Sequence, residues 1–272
     1  MQKTLLIGLA LFFIAPAQAQ LLLPSPKPKP AAAPVAAMAP AGQVMPPGYL
    51  TGKPPVDILK LLPPPPRPGS AQDIADRAAY VASAAGIGGP EWQAAIGQLS
   101  PSSPEFVRAI SCAIGTQLSL AATPATMIMV ARAGIDMISP MTKAKDSYAR
   151  PRPFTTDASE PGGGKACDPI SNDGVGARLG YAYPSGHAGI GWLWALILSD
   201  AAPARADAIR SFGMVTGDLR IACRVHWLSD VANGRILATS VYQRIAAEPE
   251  YQADLKRAIA EIAAAPPLSC PG

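Results

Sequence analysis

The chain holds only two histidines in 272 residues, His187 and His226, and no cluster of acidic residues stands beside either. A hydrolytic metal site built on imidazoles and carboxylates is therefore poorly supplied with ligands. Its four cysteines, Cys112, Cys167, Cys223 and Cys270, form no CxxC and no other zinc-like spacing. Long hydrophobic runs are missing as well: after the first twenty residues the longest is Ala188 to Leu198, eleven residues, which suits a buried helix and is short of the roughly 20 a membrane span needs. No internal repeat of fixed period is present, which excludes a solenoid.

Basic charge is also absent where it would matter for nucleic acid. The net charge is +4, but Lys3 contributes +1, and Lys27, Lys29, Lys53, Lys60 and Arg67 against Asp57 contribute another +4. Residues 71–272 are left near −1, so the folded part has no whole-surface attraction for a polyanion.

What is present divides the chain in three. "MQKTLLIGLALFFIAPAQAQ" reads as a signal peptide: a basic start, an apolar run from Leu5 to Ile14, and Ala17-Gln18-Ala19 before a mature N-terminus at Gln20. Residues 20–60 form a proline-rich, disordered tether; 15 of the chain's 31 prolines fall between Gln20 and Ser70, and no helical or strand period is visible there. Residues 61–272 are rich in Ala, Leu, Ile and Met at helical spacing, with few β-branched runs, and predict one all-α helical-bundle domain. Pro140 is expected to kink or end the helix that contains it. An even cysteine count behind a leader suggests two disulfides; of three connectivities, the expectation is Cys112 with Cys167 and Cys223 with Cys270.

Three clusters carry chemistry. Pro184-Ser185-Gly186-His187 puts backbone N–H groups at the start of an apolar helix, where unpaired donors and the macrodipole favour an anion. The same pattern also serves as plain helix-start punctuation. In "RIACRVHWLSD", Asp230 follows His226 by four residues, and on one helical face that carboxylate would hold the imidazole in one tautomer. Arg220, six residues before His226, needs an intervening turn to reach the same ligand. "KAKDSYARPRPF" gathers Lys143, Lys145, Arg150 and Arg152, whose guanidinium forks suit phosphoryl oxygens, although basic residues at a helix end also complement its dipole.

Together the clusters resemble the signature of the type 2 phosphatidic acid phosphatase superfamily: Lys, six residues, Arg-Pro; Pro-Ser-Gly-His; then Ser-Arg, five residues, His, three residues, Asp. Lys145 with Arg152-Pro153 fits the first part, and so does Lys143 with Arg150-Pro151; Phe154 favours the former. Within that superfamily the stretch from about Leu61 to Ala264 is similar to the secreted class A bacterial non-specific acid phosphatases. Leu219 stands where the family has Ser, Arg224 where the class has Gly, and Ala188 where it has Thr.

The resemblance implies a periplasmic or secreted phosphomonoesterase of broad specificity that needs no cofactor and takes small phosphorylated substrates. His226 would be the nucleophile, Asp230 its orienting partner and His187 the acid and base; Lys145, Arg152, Ser185, Gly186 and Arg220 would hold phosphate. The class often forms homo-oligomers. Competing implications are a vanadate-dependent haloperoxidase, or an inactive phosphate-binding relic in which Leu219 has cost the site a hydroxyl.

Overall fold

The computed structural model describes residues 46–157, 159–168 and 180–270. The stretch read as a signal peptide and most of the proline-rich segment lie outside them. Helix boundaries follow local chemistry. Ser70 and Ser103 cap α2 (Ala71–Ala82) and α4 (Pro104–Ile114) by accepting hydrogen bonds from Asp73 and Phe106 N–H. Gly115 ends α4 with φ 84°. The other described helices are α1 (Ile58–Leu61), α3 (Pro90–Gly97), α5 (Pro124–Tyr148), α6 (Pro153–Thr156), α7 (Gly186–Ala201), α8 (Ala206–Ala222), α9 (Leu228–Ala246) and α10 (Pro249–Ala264).

The all-α expectation holds: the described residues contain no β-strand, only an isolated bridge between Thr116 and Pro267. No described helix is long and apolar enough to cross a membrane. Pro140 does not break its helix. α5 continues past it for 25 residues in all, and Met137, Pro140 and Ala144 are buried along it, so packing offsets one missing backbone bond.

α7 is apolar on every side, which makes it the central element. Its Leu193, Trp194, Ile197 and Leu198 are essentially inaccessible, and it packs most extensively on α8 and α9. The approach of α7 to α9 depends on Gly234, where a Cβ would lie 2.4 Å from the Ser185 carbonyl oxygen. That closeness sets the N-terminus of α7 against the start of α9.

Residues 46–62 run over this bundle as an anchored strap. Tyr49 is buried, its hydroxyl donates to Asp254 at 2.6 Å, and the N–H groups of Tyr49 and Leu50 donate to the Asp136 carboxylate at 2.8 and 3.0 Å. Ile58 and Leu62 are fully buried further along. Most of this strap falls within the range read as tether. It has no period to read because single side chains and side-chain-to-backbone bonds hold it, with one turn of helix as its only regular element.

The disulfide expectation is overturned. Cys112 pairs with Cys270, Cα atoms 5.7 Å apart, and Cys167 with Cys223, at 4.8 Å. The C-terminal tail returns to the end of α4, where Leu268 N–H donates to Gly115 at 2.8 Å, and this brings Cys270 to Cys112. The loop after α6 lies against the end of α8, with Cys167 N–H donating to the Cys223 carbonyl at 3.0 Å. Spacing in the sequence carries no trace of either meeting.

Candidate active site

Between α8 and α9 the chain reverses over Cys223 to Trp227. Arg224 takes φ 65° there, a left-handed conformation that costs a non-glycine residue about 1–2 kcal/mol. Its guanidinium offsets that cost by donating to the carbonyls of Lys165, Tyr80, Pro161 and Gly163 and lying 3.8 Å from the Tyr80 ring centroid. The turn and the neighbouring loop are thus fastened together.

His226 follows, buried, with Nδ1 3.3 Å from Asp230 Oδ2. The pair is close for a different reason from the one expected. His226 precedes α9 instead of sharing a helical face with Asp230, and Asp230, at the third position of the helix, also accepts from Trp227 N–H at 2.8 Å. The carboxylate both caps the helix and receives the imidazole Nδ1–H. Nε2 is then the lone-pair nitrogen, and it stands 3.2 Å from Arg152 Nη1.

Arg152 is fixed by the Gly180 carbonyl at 2.9 Å and the Val225 carbonyl at 2.8 Å. Lys145, one turn before the end of α5, donates to the Tyr181 carbonyl at 2.5 Å. Lys143 is exposed. Arg150 is buried but turned elsewhere: Nη1 donates to Asp230 Oδ1 at 2.5 Å and to Ser229 Oγ at 2.8 Å, and Nη2 to Asp76 at 2.7 Å. The two registers open in the sequence therefore separate in space. Arg152 meets His226 Nε2, with Lys145 near enough to act electrostatically on the same imidazole, whereas Arg150 joins the far side of Asp230.

Arg220, in the last turn of α8, is 1% exposed; Nη2 donates to the Ala95 carbonyl at 2.9 Å, and Nε has no partner among the described residues. A buried guanidinium N–H left unsatisfied is costly unless a ligand accepts it. Leu219 beside it is buried with Ala95, Phe154, Cys167, Cys223 and Val225. The residue in place of the family serine thus fills an apolar pocket around the disulfide, and this argues against a lost hydroxyl as a defect of the site.

On the opposite wall, Ser185 caps α7, its Oγ accepting from Ala188 N–H at 3.4 Å while its own N–H donates to the Asp230 carbonyl at 2.9 Å. Gly186 and His187 open the helix. His187 Nε2 is 2.6 Å from the Leu99 carbonyl, an acceptor only, so Nε2 carries the hydrogen and Nδ1 is the atom at which a proton can be gained or lost.

Charge crowding is the electrostatic signature of the site. Burial, then Arg220, Arg152 and Lys145, push His187 down to about 3. His226 is held well below the usual imidazole range by burial and the same cations, Arg152 foremost. Burial and Arg152 lower Lys145 to about 7, and burial takes Arg152 and Arg220 down to about 10. Asp230 moves the other way, to about 6, because burial outweighs Arg150. A set of bases destabilised in their charged forms by burial, with His187, His226 and Lys145 further destabilised by neighbouring cations, is a site that an anion would relieve.

Asp76, Ser229 and the Leu99 carbonyl were missed by sequence reasoning. Asp76 lies on α2, 74 residues before Arg150, and its only signal was an acidic residue on an otherwise helix-forming surface.

Comparison with known proteins identifies relatives over most of the chain. Residues 119–248 match the PAP2 superfamily. An acid phosphatase of Zymomonas mobilis is 30% identical over 206 residues, 76% of this chain and 75% of the relative. A non-specific acid phosphatase of Providencia stuartii is 32% identical over 216 residues, 79% and 84% respectively. One of Salmonella typhimurium is 31% identical over 202 residues, 74% and 78%. With a superfamily match over residues 119–248 and relatives at this identity across most of both chains, the chain belongs to the PAP2 superfamily.

Proposed function

We propose that the protein is a secreted, metal-independent acid phosphatase that hydrolyses phosphate monoesters of broad range through a phosphohistidine. The observation that carries the reading is His226, held at Nδ1 by Asp230 and facing Arg152 with Nε2. Lys145, Arg152, Arg220 and the N–H groups opening α7 hold the phosphoryl oxygens. Nε2 attacks phosphorus, the bond to the leaving oxygen breaks, and His187 donates its Nδ1 proton to that oxygen. Water then gives a proton to His187 as it attacks phosphorus, the N–P bond breaks, and phosphate leaves. Asp230 stabilises the positive imidazole of the intermediate, and the cations stabilise charge as it redistributes over the equatorial oxygens.

His187 needs a proton at the first step, although its neighbours disfavour one. The substrate supplies the remedy. A phosphate monoester has a second pKa near ~6, so in mild acid it enters as a monoanion carrying the proton that His187 takes. Acidic preference follows from this transfer.

Turnover of p-nitrophenyl phosphate near pH 6 is expected to persist in EDTA. Loss that zinc or magnesium restores would sink the metal-free reading, and bromide oxidation on adding vanadate would favour the haloperoxidase. Binding of inorganic phosphate supplies an independent check. The dianion raises the pKa of His187, and of Lys145 from about 7, so at pH 7.5 binding takes up protons. Linkage then requires affinity to strengthen as pH falls, by about tenfold per pH unit for each proton taken up. Calorimetry in buffers of different ionisation enthalpy measures the uptake directly, and proton release contradicts the charge arrangement.

Export through the leader, a periplasmic or extracellular location and self-association belong to the same reading. Two disulfides fit an oxidising compartment.

A further inference from the structure

We propose that Arg150, clamped by Asp76 and Ser229, is a positioning residue for the His226–Asp230 pair and takes no part in holding the phosphoryl group. The inference rests on His226 acting as proposed above.

The contacts form a closed network. Asp230 Oδ2 is taken by His226 Nδ1 and Trp227 N–H, and Oδ1 by Arg150. Arg150 turns its second nitrogen to Asp76 Oδ2. Asp76 Oδ2 also accepts from Ser229 Oγ at 2.5 Å and Oδ1 from Ser229 N–H at 2.8 Å, and Ser229 Oγ accepts from Arg150. All four residues are at most 8% exposed. Arg150 also lies 5.2 Å from the Trp227 ring centroid. Both edges of its fork are spent on carboxylates, which leaves it turned away from the Nε2 side of His226 where Lys145 and Arg152 stand.

The work of this network is electrostatic. Asp230 is fully buried, and burial drives its carboxyl toward the neutral form. A protonated Asp230 could neither fix the His226 tautomer nor balance a positive imidazole. The charged and titratable groups around it are Arg150, Lys145 and Arg152 from the segment ending α5, Asp76 from α2, Tyr183 before α7, and His226 itself. Arg150 is the strongest of the influences keeping Asp230 ionised. Asp76 compensates Arg150 and aims it. Asp76 stands outside residues 119–248, so α2 adds a charged side chain to a site whose motif residues lie within that span.

The test compares Arg150→Gln, Arg150→Lys, Ser229→Ala and His226→Ala in the otherwise intact chain. The readouts are the pH profile of kcat and the inhibition constant of inorganic phosphate. Arg150→Gln is expected to lose about 10–100-fold in kcat and to move the acid limb up by roughly one pH unit, while phosphate inhibition stays within about twofold. Arg150→Lys should recover part of the limb shift. If Arg150→Gln does not fold, Arg150→Lys and Ser229→Ala carry the comparison, each with a smaller loss of kcat and unchanged phosphate inhibition. Phosphate inhibition weakening in step with kcat/KM would make Arg150 a ligand and overturn the proposal, as would an acid limb unmoved in every Arg150 variant. Turnover surviving in His226→Ala removes the underlying reading. A dead His226→Ala beside unmoved Arg150 profiles removes this inference alone.

Discussion

Replacing His226 with alanine is expected to lower phosphatase turnover by at least about a thousandfold while inorganic phosphate still binds. The expectation follows from the division of labour around the imidazole. Lys145, Arg152 and Arg220 keep their backbone carbonyl partners without it, so the anion-holding part of the site stays assembled. What disappears is Nε2, the atom that would form the bond to phosphorus. The substitution also leaves Asp230 Oδ2 with Trp227 N–H, which retains the helix cap and limits the loss of stability. Measured with p-nitrophenyl phosphate, against circular dichroism to verify folding, a loss smaller than about tenfold would mean that water attacks directly and that His226 only supports the site.

Replacing His187 with asparagine should give a result that depends on the leaving group. An alkyl phosphate needs a proton on its departing oxygen, and losing the general acid is expected to cost about 10²–10⁴-fold. p-Nitrophenolate leaves without help, so formation of the phosphohistidine from its ester should fall far less. Hydrolysis of that intermediate still requires a base for water, so the variant should accumulate it. Rapid mixing with p-nitrophenyl phosphate is expected to show a burst of nitrophenolate close to one per site, followed by slow turnover. Equal losses with both substrates and no burst would show that His187 orders the site without moving protons. The bond from Nε2 to the Leu99 carbonyl makes the substitution informative, since only Nδ1 is available for transfer.

The two histidines, the basic cluster and the Pro-Ser-Gly-His turn were legible because chemistry of this kind needs particular residue types, and a chain so poor in histidine leaves few alternatives. Helix content was legible for a similar reason: apolar periodicity and serine caps act over a turn or two of chain. Two features of the fold were out of reach of local reading because tertiary packing decides them. Pro140 lies inside a continuous helix because packing holds both sides of it, and Tyr49 is buried in a segment whose composition reads as tether. The disulfide pairing failed outright, since Cys112 meets a tail 158 residues away and no local rule connects them.

By itself, the sequence determined the all-α class and the motif residues proposed to bind and attack a phosphoryl group, because these depend on residue type and short-range pattern. Tertiary structure decided which of two basic registers faces the imidazole, how Asp76 of α2 meets Arg150 behind Asp230, and which cysteines join. Those are contacts between segments brought together by burial of the α7 core, and their distances exist only once the chain has folded around it.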